Sequence, residues 1–150
     1  MPRIANIFTE EYADESDRAG FRWRGARIGL LVGAAKIGAT VYELADGDWS
    51  FPYHFHHGVE EWCWVLRGTP LLRSPDGERE LREGDVVCFA LGAPGAHALR
   101  GPGRVMLFSC GAPPYISVYP DSDKVGVRPG PGGDRLMFRR GDAVDYWEGE

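Results

Sequence analysis

Short apolar-rich runs, several of them alternating with period two, recur along the chain between turns marked by glycine and proline. This is the pattern of β-strands that bury one face. Ile37–Leu44 (IGATVYEL) reads as a strand closed by Ala-Asp-Gly-Asp, a turn signal. Residues 49–56 (WSFPYHFH) read as the next strand, with Pro52 marking an edge or a bulge, and His57-Gly58 reads as a break. Residues 60–66 (EEWCWVL) make a third strand, and residues 69–73 and 79–81 flank Ser-Pro-Asp-Gly as a hairpin. Further strands are expected over residues 86–90, 97–99, 104–110 and 115–119, with a closing run at Leu136–Arg139. Residues 91–96 and 120–134, rich in glycine and proline, read as loops. Residues 1–27 are polar with little alternation and read as a short helix or an irregular arm.

Regularly spaced short strands predict an all-β sandwich or barrel, two architectures that leave few open edges. A chain of 150 residues suits one domain with a real core. Its expected parts are an N-terminal arm with the first strand or strands (1–36), a barrel (37–119), and a C-terminal loop and tail packing on the barrel (120–150). The 21 glycines and 11 prolines agree with a turn-rich fold. There is no internal repeat.

Charge narrows the partners. Seventeen basic against twenty-two acidic residues leave a net charge of −5, which works against non-specific nucleic-acid binding. No apolar stretch has the length of a membrane-crossing helix, and the first residues lack the apolar run of a signal peptide, so a cytoplasmic location is expected. Cys63, Cys88 and Cys110 form no CxxC pair, and each sits in an apolar run. They are expected as buried free thiols.

The candidate chemistry lies in four residues. His54 and His56, two apart in a strand, share a face. Glu61 follows on the next strand, on the face of Cys63 and Val65. A carboxylate among small and apolar groups is costly unless it is paired or bound to metal, and two neutral imidazoles bring it no charge. A divalent cation satisfies all three. His97, after the glycine-rich loop, is the fourth candidate. Such a donor set accepts iron, manganese, nickel, cobalt or zinc, and on an octahedral ion it leaves two positions open. Alternation takes His57 off this face. Glu60 competes with Glu61 until the motif spacing is considered.

That spacing resembles a known family. The run from Gly47 to Gly68 contains His54-x-His56, four residues, Glu61, six residues and Gly68, which resembles the first motif of the cupin superfamily. Gly47 stands one residue further from the histidine than usual. The run from Gly84 to His97 resembles the second motif, with Ala90 in place of proline, two extra residues between Gly92 and His97, and Gly101 in place of asparagine. The tail resembles that of small single-domain bacterial cupins of the RmlC-like type. The resemblance implies a double-stranded β-helix (a jelly-roll barrel) holding one divalent metal ion through His54, His56, Glu61 and His97. It also implies a homodimer built by sheet packing and exchange of terminal arms.

The flanking residues leave alternatives open. Trp62 and Trp64 fall opposite Glu61, where they either meet a second subunit or pack under the N-terminal arm. Tyr42, Tyr53, Phe108 and Tyr115, together with Cys63 and Val65, are either pocket residues or core. Tyr146 and Trp147 suggest a tail that docks on the barrel or on a partner. The Pro-Gly-Pro-Gly-Gly run is read as a passive loop rather than a lid. The functional expectations are a metal-dependent oxygenase or isomerase acting on a small organic molecule, a non-catalytic protein that binds a sugar or carboxylate, or a dimer with a vestigial site. No phosphate loop, nucleotide fingerprint or Ser-His-Asp set is present.

Overall fold

The computed structural model describes residues 1–9, 11–130 and 133–150. Its order is β1 (Asp14–Ser16), β2 (Trp23–Ala26), a one-turn helix α1 (Ile28–Leu31), β3 (Ile37–Leu44), β4 (Phe55–Gly68), β5 (Leu71–Ser74), β6 (Gly77–Glu80), β7 (Val86–Phe89), β8 (Ala98–Arg100), β9 (Gly103–Tyr119), β10 (Lys124–Arg128) and β11 (Leu136–Arg139). Every strand pair is antiparallel. The large sheet contains β1, β2, β3, β4, β7, β9, β10 and β11, and the small sheet runs β6-β5-β8.

Period-two alternation decides what each face buries. On β4, Cys63 and Val65 face inward with no exposure, next to Val105 of β9 and Leu44 of β3. Leu72 of β5 and Leu99 of β8 meet them from the small sheet, so the two sheets close over one apolar core. This is an all-β double-stranded β-helix. On the outer face, Val41, Leu66 and Met106 form a second cluster, covered by Ala5, Ile7 and Tyr12 of the N-terminal arm. The arm stops short of Trp62, Trp64, Val86 and Ile37, which stay exposed.

Several boundaries differ from the sequence reading. Residues 49–54 form no strand, and Trp49 and His54 make isolated bridges to Arg100 and His97. Pro52 has no N–H to donate to a ladder. His57-Gly58 is a bulge within β4 rather than a break, with Gly58 at φ 75°, and β4 runs on for 14 residues. Likewise residues 104–110 and 115–119 belong to one strand, β9, of 17 residues. The expected loop 120–134 contains β10, which pairs with both β9 and β11. The Pro-Gly-Pro-Gly-Gly run lies partly outside the described residues. The arm contributes two strands, β1 and β2, rather than a helix.

Cys63 is buried, but Cys88 and Cys110 are exposed. Their strands turn them outward beside Trp62 and Glu60, on the face the arm does not cover. Tyr146 and Trp147 pack edge-to-face with ring centroids 4.8 Å apart and remain largely exposed.

Candidate metal centre

His54, His56, Glu61 and His97 converge at one end of the barrel. His54, His56 and Glu61 offer ligand atoms within 4.8 Å of one another. His56 Nε2 stands 3.0 Å and His97 Nε2 3.4 Å from Glu61 Oε2. The ring centroids of His54 lie 4.7 Å from His56 and 4.8 Å from His97.

Each imidazole is aimed by its other nitrogen. His54 Nδ1 lies 2.8 Å from the Pro52 carbonyl, and His97 Nδ1 lies 2.9 Å from the Gly95 carbonyl. A carbonyl only accepts, so both rings donate from Nδ1 and present a bare Nε2 inward. His56 Nδ1 meets Ser117 Oγ of β9 at 3.0 Å. Backbone bonds tie the two ligand loops together, His54 N–H to His97 O at 3.1 Å and His97 N–H to His54 O at 2.8 Å. Phe89 lies flat on His97, with centroids 3.7 Å apart and planes 6° apart, and Tyr119 stacks on His54 at 5.7 Å. Gly95 leaves no room for a side chain, because a Cβ there would fall 1.8 Å from the Ala90 carbonyl oxygen.

The electrostatics are unbalanced. Burial pushes the His54 imidazole down to about 4, with His97 and His56 adding to the effect, so it is neutral at pH 7. Burial pushes the Glu61 carboxyl up, and a proton facing it on His56 or His97 would more than offset this and hold it below the usual carboxylate range. Burial lifts the Cys63 thiol to about 12, with Glu61 adding to it, which leaves it inert as a nucleophile. His56 Nε2 is buried with no hydrogen-bond partner: its 3.0 Å approach to Glu61 is out of line for one. An orphaned nitrogen, two further inward-facing imidazole nitrogens and a buried carboxylate fit a divalent cation, which would use every one of these lone pairs.

The centre opens into a cavity of about 790 Å³. Tyr42 and Tyr115 line it, as do Ser117, Tyr119, Phe51 and Thr40. Of the other expected pocket residues, Cys63 and Val65 lie in the core, and Tyr53 sits under the Arg73 guanidinium at 4.0 Å. Phe108 lines a separate outer-face groove with Trp62 and Trp64. Glu60 points outward and accepts from Trp62 Nε1 at 3.1 Å, and His57 is exposed. The sequence reading did not single out Ser117, Tyr119 or Phe89. The alternation of Tyr115, Ser117 and Tyr119 was the available signal for the first two.

A small antiparallel barrel with three histidines and a glutamate gathered at its mouth defines a class of compact β-barrels with a candidate metal site. Residues 40–110 match the family model of the Cupin domain, and with the fold this makes the barrel a cupin domain. The sequence matches no curated protein. Among solved structures, the chain resembles a protein of Acidithiobacillus ferrooxidans proposed to be a sugar phosphate isomerase, with 22% identity, TM-score 0.81, and 93% of this chain and 91% of that one covered. It also resembles a sugar phosphate isomerase of the cupin superfamily from Silicibacter pomeroyi, with 21% identity, TM-score 0.79 and coverage of 93% and 94%. The polyketide cyclase RemF from Streptomyces resistomycificus is a more distant likeness, at 21% identity, TM-score 0.57 and coverage of 77% and 84%.

Proposed function

We propose that His54, His56, Glu61 and His97 hold one divalent metal ion, and that the protein is a metal-dependent enzyme acting on a small organic molecule in the adjoining cavity. The observation that carries this reading is the buried, unpartnered His56 Nε2 facing the Glu61 carboxyl. When bound, the ion supplies Lewis acidity toward a substrate oxygen at its open positions. The chain's own residues do the rest. Pro52, Gly95 and Ser117 fix the imidazoles, Phe89 and Tyr119 restrict their rotation, and the apolar floor excludes water from beneath. Tyr42, Thr40 and Tyr115 offer hydroxyls toward a bound molecule.

Isomerisation is the reaction class favoured here over oxygenation. The support is the likeness over nearly the full chain to two proteins named for sugar phosphate isomerisation, a likeness that concerns the fold. Metal analysis of the purified protein beside His54→Ala and Glu61→Ala tests the centre, and full metal content in both variants would sink the assignment. Turnover of aldose or ketose substrates by loaded protein tests the enzyme reading. A ligand that raises the melting temperature and emerges unaltered favours a non-catalytic binding protein instead.

The proposal includes a homodimer joined through the outer face, supported by the exposure of Trp62, Trp64, Val86 and Ile37 on one side of the large sheet. Light scattering on a sizing column tests it. A cytoplasmic location is also proposed, supported by three unpaired cysteines. No helix among the described residues is long and apolar enough to cross a membrane.

A further inference from the structure

The wall of the cavity carries charge of one sign. Its described lining includes five basic residues, Arg27, Lys36, Lys124, Arg128 and Arg135, and only one acidic residue, Glu61. The chain as a whole is acidic, at −5. Arg27 is engaged by Asp14, its Nε 2.7 Å from Oδ2. The other four make no ion pair with a described carboxylate.

Sheet register places these cations relative to the metal centre. His56 of β4 pairs with Ser117 of β9, Ser117 with Gly126 of β10, and Gly126 with Met137 of β11. One row therefore runs from a ligand histidine outward across four strands. Lys124 and Arg128 flank Gly126 at i±2, so they share its face and point into the same cavity. Gly126 offers no side chain between them. Opposite them in register stand two aromatic rings of β9. The Lys124 Nζ lies 5.9 Å from the Tyr119 ring, and the Arg128 guanidinium lies 4.7 Å from the Tyr115 ring. Arg135, just before β11, comes to the same end as Arg128.

With strands about 4.8 Å apart and a rise of about 3.3 Å per residue, the Arg128 Cα lies roughly 12 Å from that of His56. Side chains that reach inward from both ends shorten that gap to the length of one small molecule. The cavity volume is in the range of small-ligand sites. Clustered, unpaired cations in a concave, partly enclosed wall raise the local concentration of anions and hold them by charge-assisted hydrogen bonds. The concavity and the overall acidity argue against a nucleic-acid chain as the occupant.

We infer that β10 and the start of β11 form an anion subsite, in which Arg128 and Arg135, with Lys124, hold the phosphate or carboxylate of the molecule whose other end meets the metal centre. This inference rests on the proposed metal centre for the second half of that statement, and names the substrate class as a small anionic molecule. The shared chemistry is a compact oxyanion on a polar skeleton.

The experiment compares three probes of one skeleton, ribose 5-phosphate, ribonate and ribose, by calorimetric titration of metal-loaded protein. At least one anionic probe binds ten or more times tighter than ribose, and whichever of the two binds tighter says whether phosphate or carboxylate is preferred. The Arg128→Gln/Arg135→Gln variant loses most of that advantage with metal content unchanged, and raised salt weakens the binding of the anion alone. The same advantage persists in metal-stripped protein, because the cations lie apart from the ion. Equal affinity for all three probes, absence of binding by all of them, or an advantage retained by the double variant overturns the subsite. An advantage that vanishes with the metal also overturns it, by assigning the anion to the ion. Anion binding in a protein that takes up no metal would bring down the metal centre and leave the subsite standing.

Discussion

Phe89 lies parallel to His97 at van der Waals separation, so one of the four candidate ligands is clamped by the core itself. The ring sits at the end of β7, pairs with Glu61 across the strands, and is only 5% exposed. Packing and ligand placement are thus one interaction. Phe89→Ala is expected to cost about 3–5 kcal/mol of stability and to weaken metal binding as well, by about tenfold or more. Denaturant melts of metal-free protein and a chelator competition on the folded variant measure the two effects separately. A Phe89→Ala protein that binds metal as tightly as wild type would show that His97 is held without the ring.

Ser117→Ala isolates the orienting role. The substitution removes the hydroxyl at His56 Nδ1 and leaves the fold otherwise packed as before. Stability should fall by about 1 kcal/mol, while metal affinity drops roughly 10- to 100-fold. Ser117→Thr, which keeps the hydroxyl, should recover part of the loss. Equal affinity for all three proteins would remove Ser117 from the centre.

Metal removal should be visible in thermal stability. A ligand at a hundred times its Kd stabilises a folded chain by about 2.7 kcal/mol. Chelator should therefore lower the melting temperature of wild type and leave His56→Ala unmoved. Calorimetric scans with and without chelator provide the comparison.

Glu43 governs a pH dependence away from the centre. It lies in one row across β3, β9 and β4, where Oε2 accepts from Arg104 Nε at 2.6 Å and from Tyr12 at 3.1 Å, and Oε1 accepts from Arg67 at 3.2 Å. Burial pushes this carboxyl up, but the bonds from Arg104, Tyr12 and Arg67 outweigh it and hold it below the ordinary range. A depressed carboxylate stabilises the fold above its unfolded pKa, and that contribution is lost as pH falls through the folded value. The site is partly solvated, so Glu43→Gln should cost about 1 kcal/mol at pH 7. The gap to wild type should close steadily below pH ~4.3. Paired urea melts from pH 3 to 7 follow it, and a gap that widens toward acid would contradict the sign.

Trp62→Lys and Trp64→Lys place charge on the apolar face the arm leaves bare. Light scattering should show wild type as a dimer and the double variant as a monomer, with metal content unaltered. A monomeric wild type at high concentration would dispose of this interface.

The convergence of these side chains was legible in the sequence because it depends on short-range rules. His-x-His and Glu61 with Cys63 and Val65 need only strand alternation to fall on one side. Longer-range facts were hidden. Gly58 and Pro113-Pro114 look like strand ends, yet β4 and β9 run through them, with one shared register shift that leaves Gly58 on one strand and residues 112–115 on the other without a partner across the pair. Cys88 and Cys110 sit in apolar runs, but which face a second layer covers is decided by an arm a hundred residues away for Cys110. The cations of β10 acquire meaning only through the register that lines Gly126 up with Ser117 and His56. Residues 49–54 misled because aromatic, β-rich composition mimics a strand where Pro52 prevents one.

Along its 17 residues β9 pairs with β4 on one edge and with β3, then β10, on the other. One backbone thereby couples two jobs: steadying His56 from within the barrel and seating the β10–β11 hairpin at its rim. That hairpin contributes none of the four candidate ligands, so its side chains can be exchanged without touching them. Editing a peripheral hairpin would thus alter what the rim presents while leaving the four convergent side chains in place.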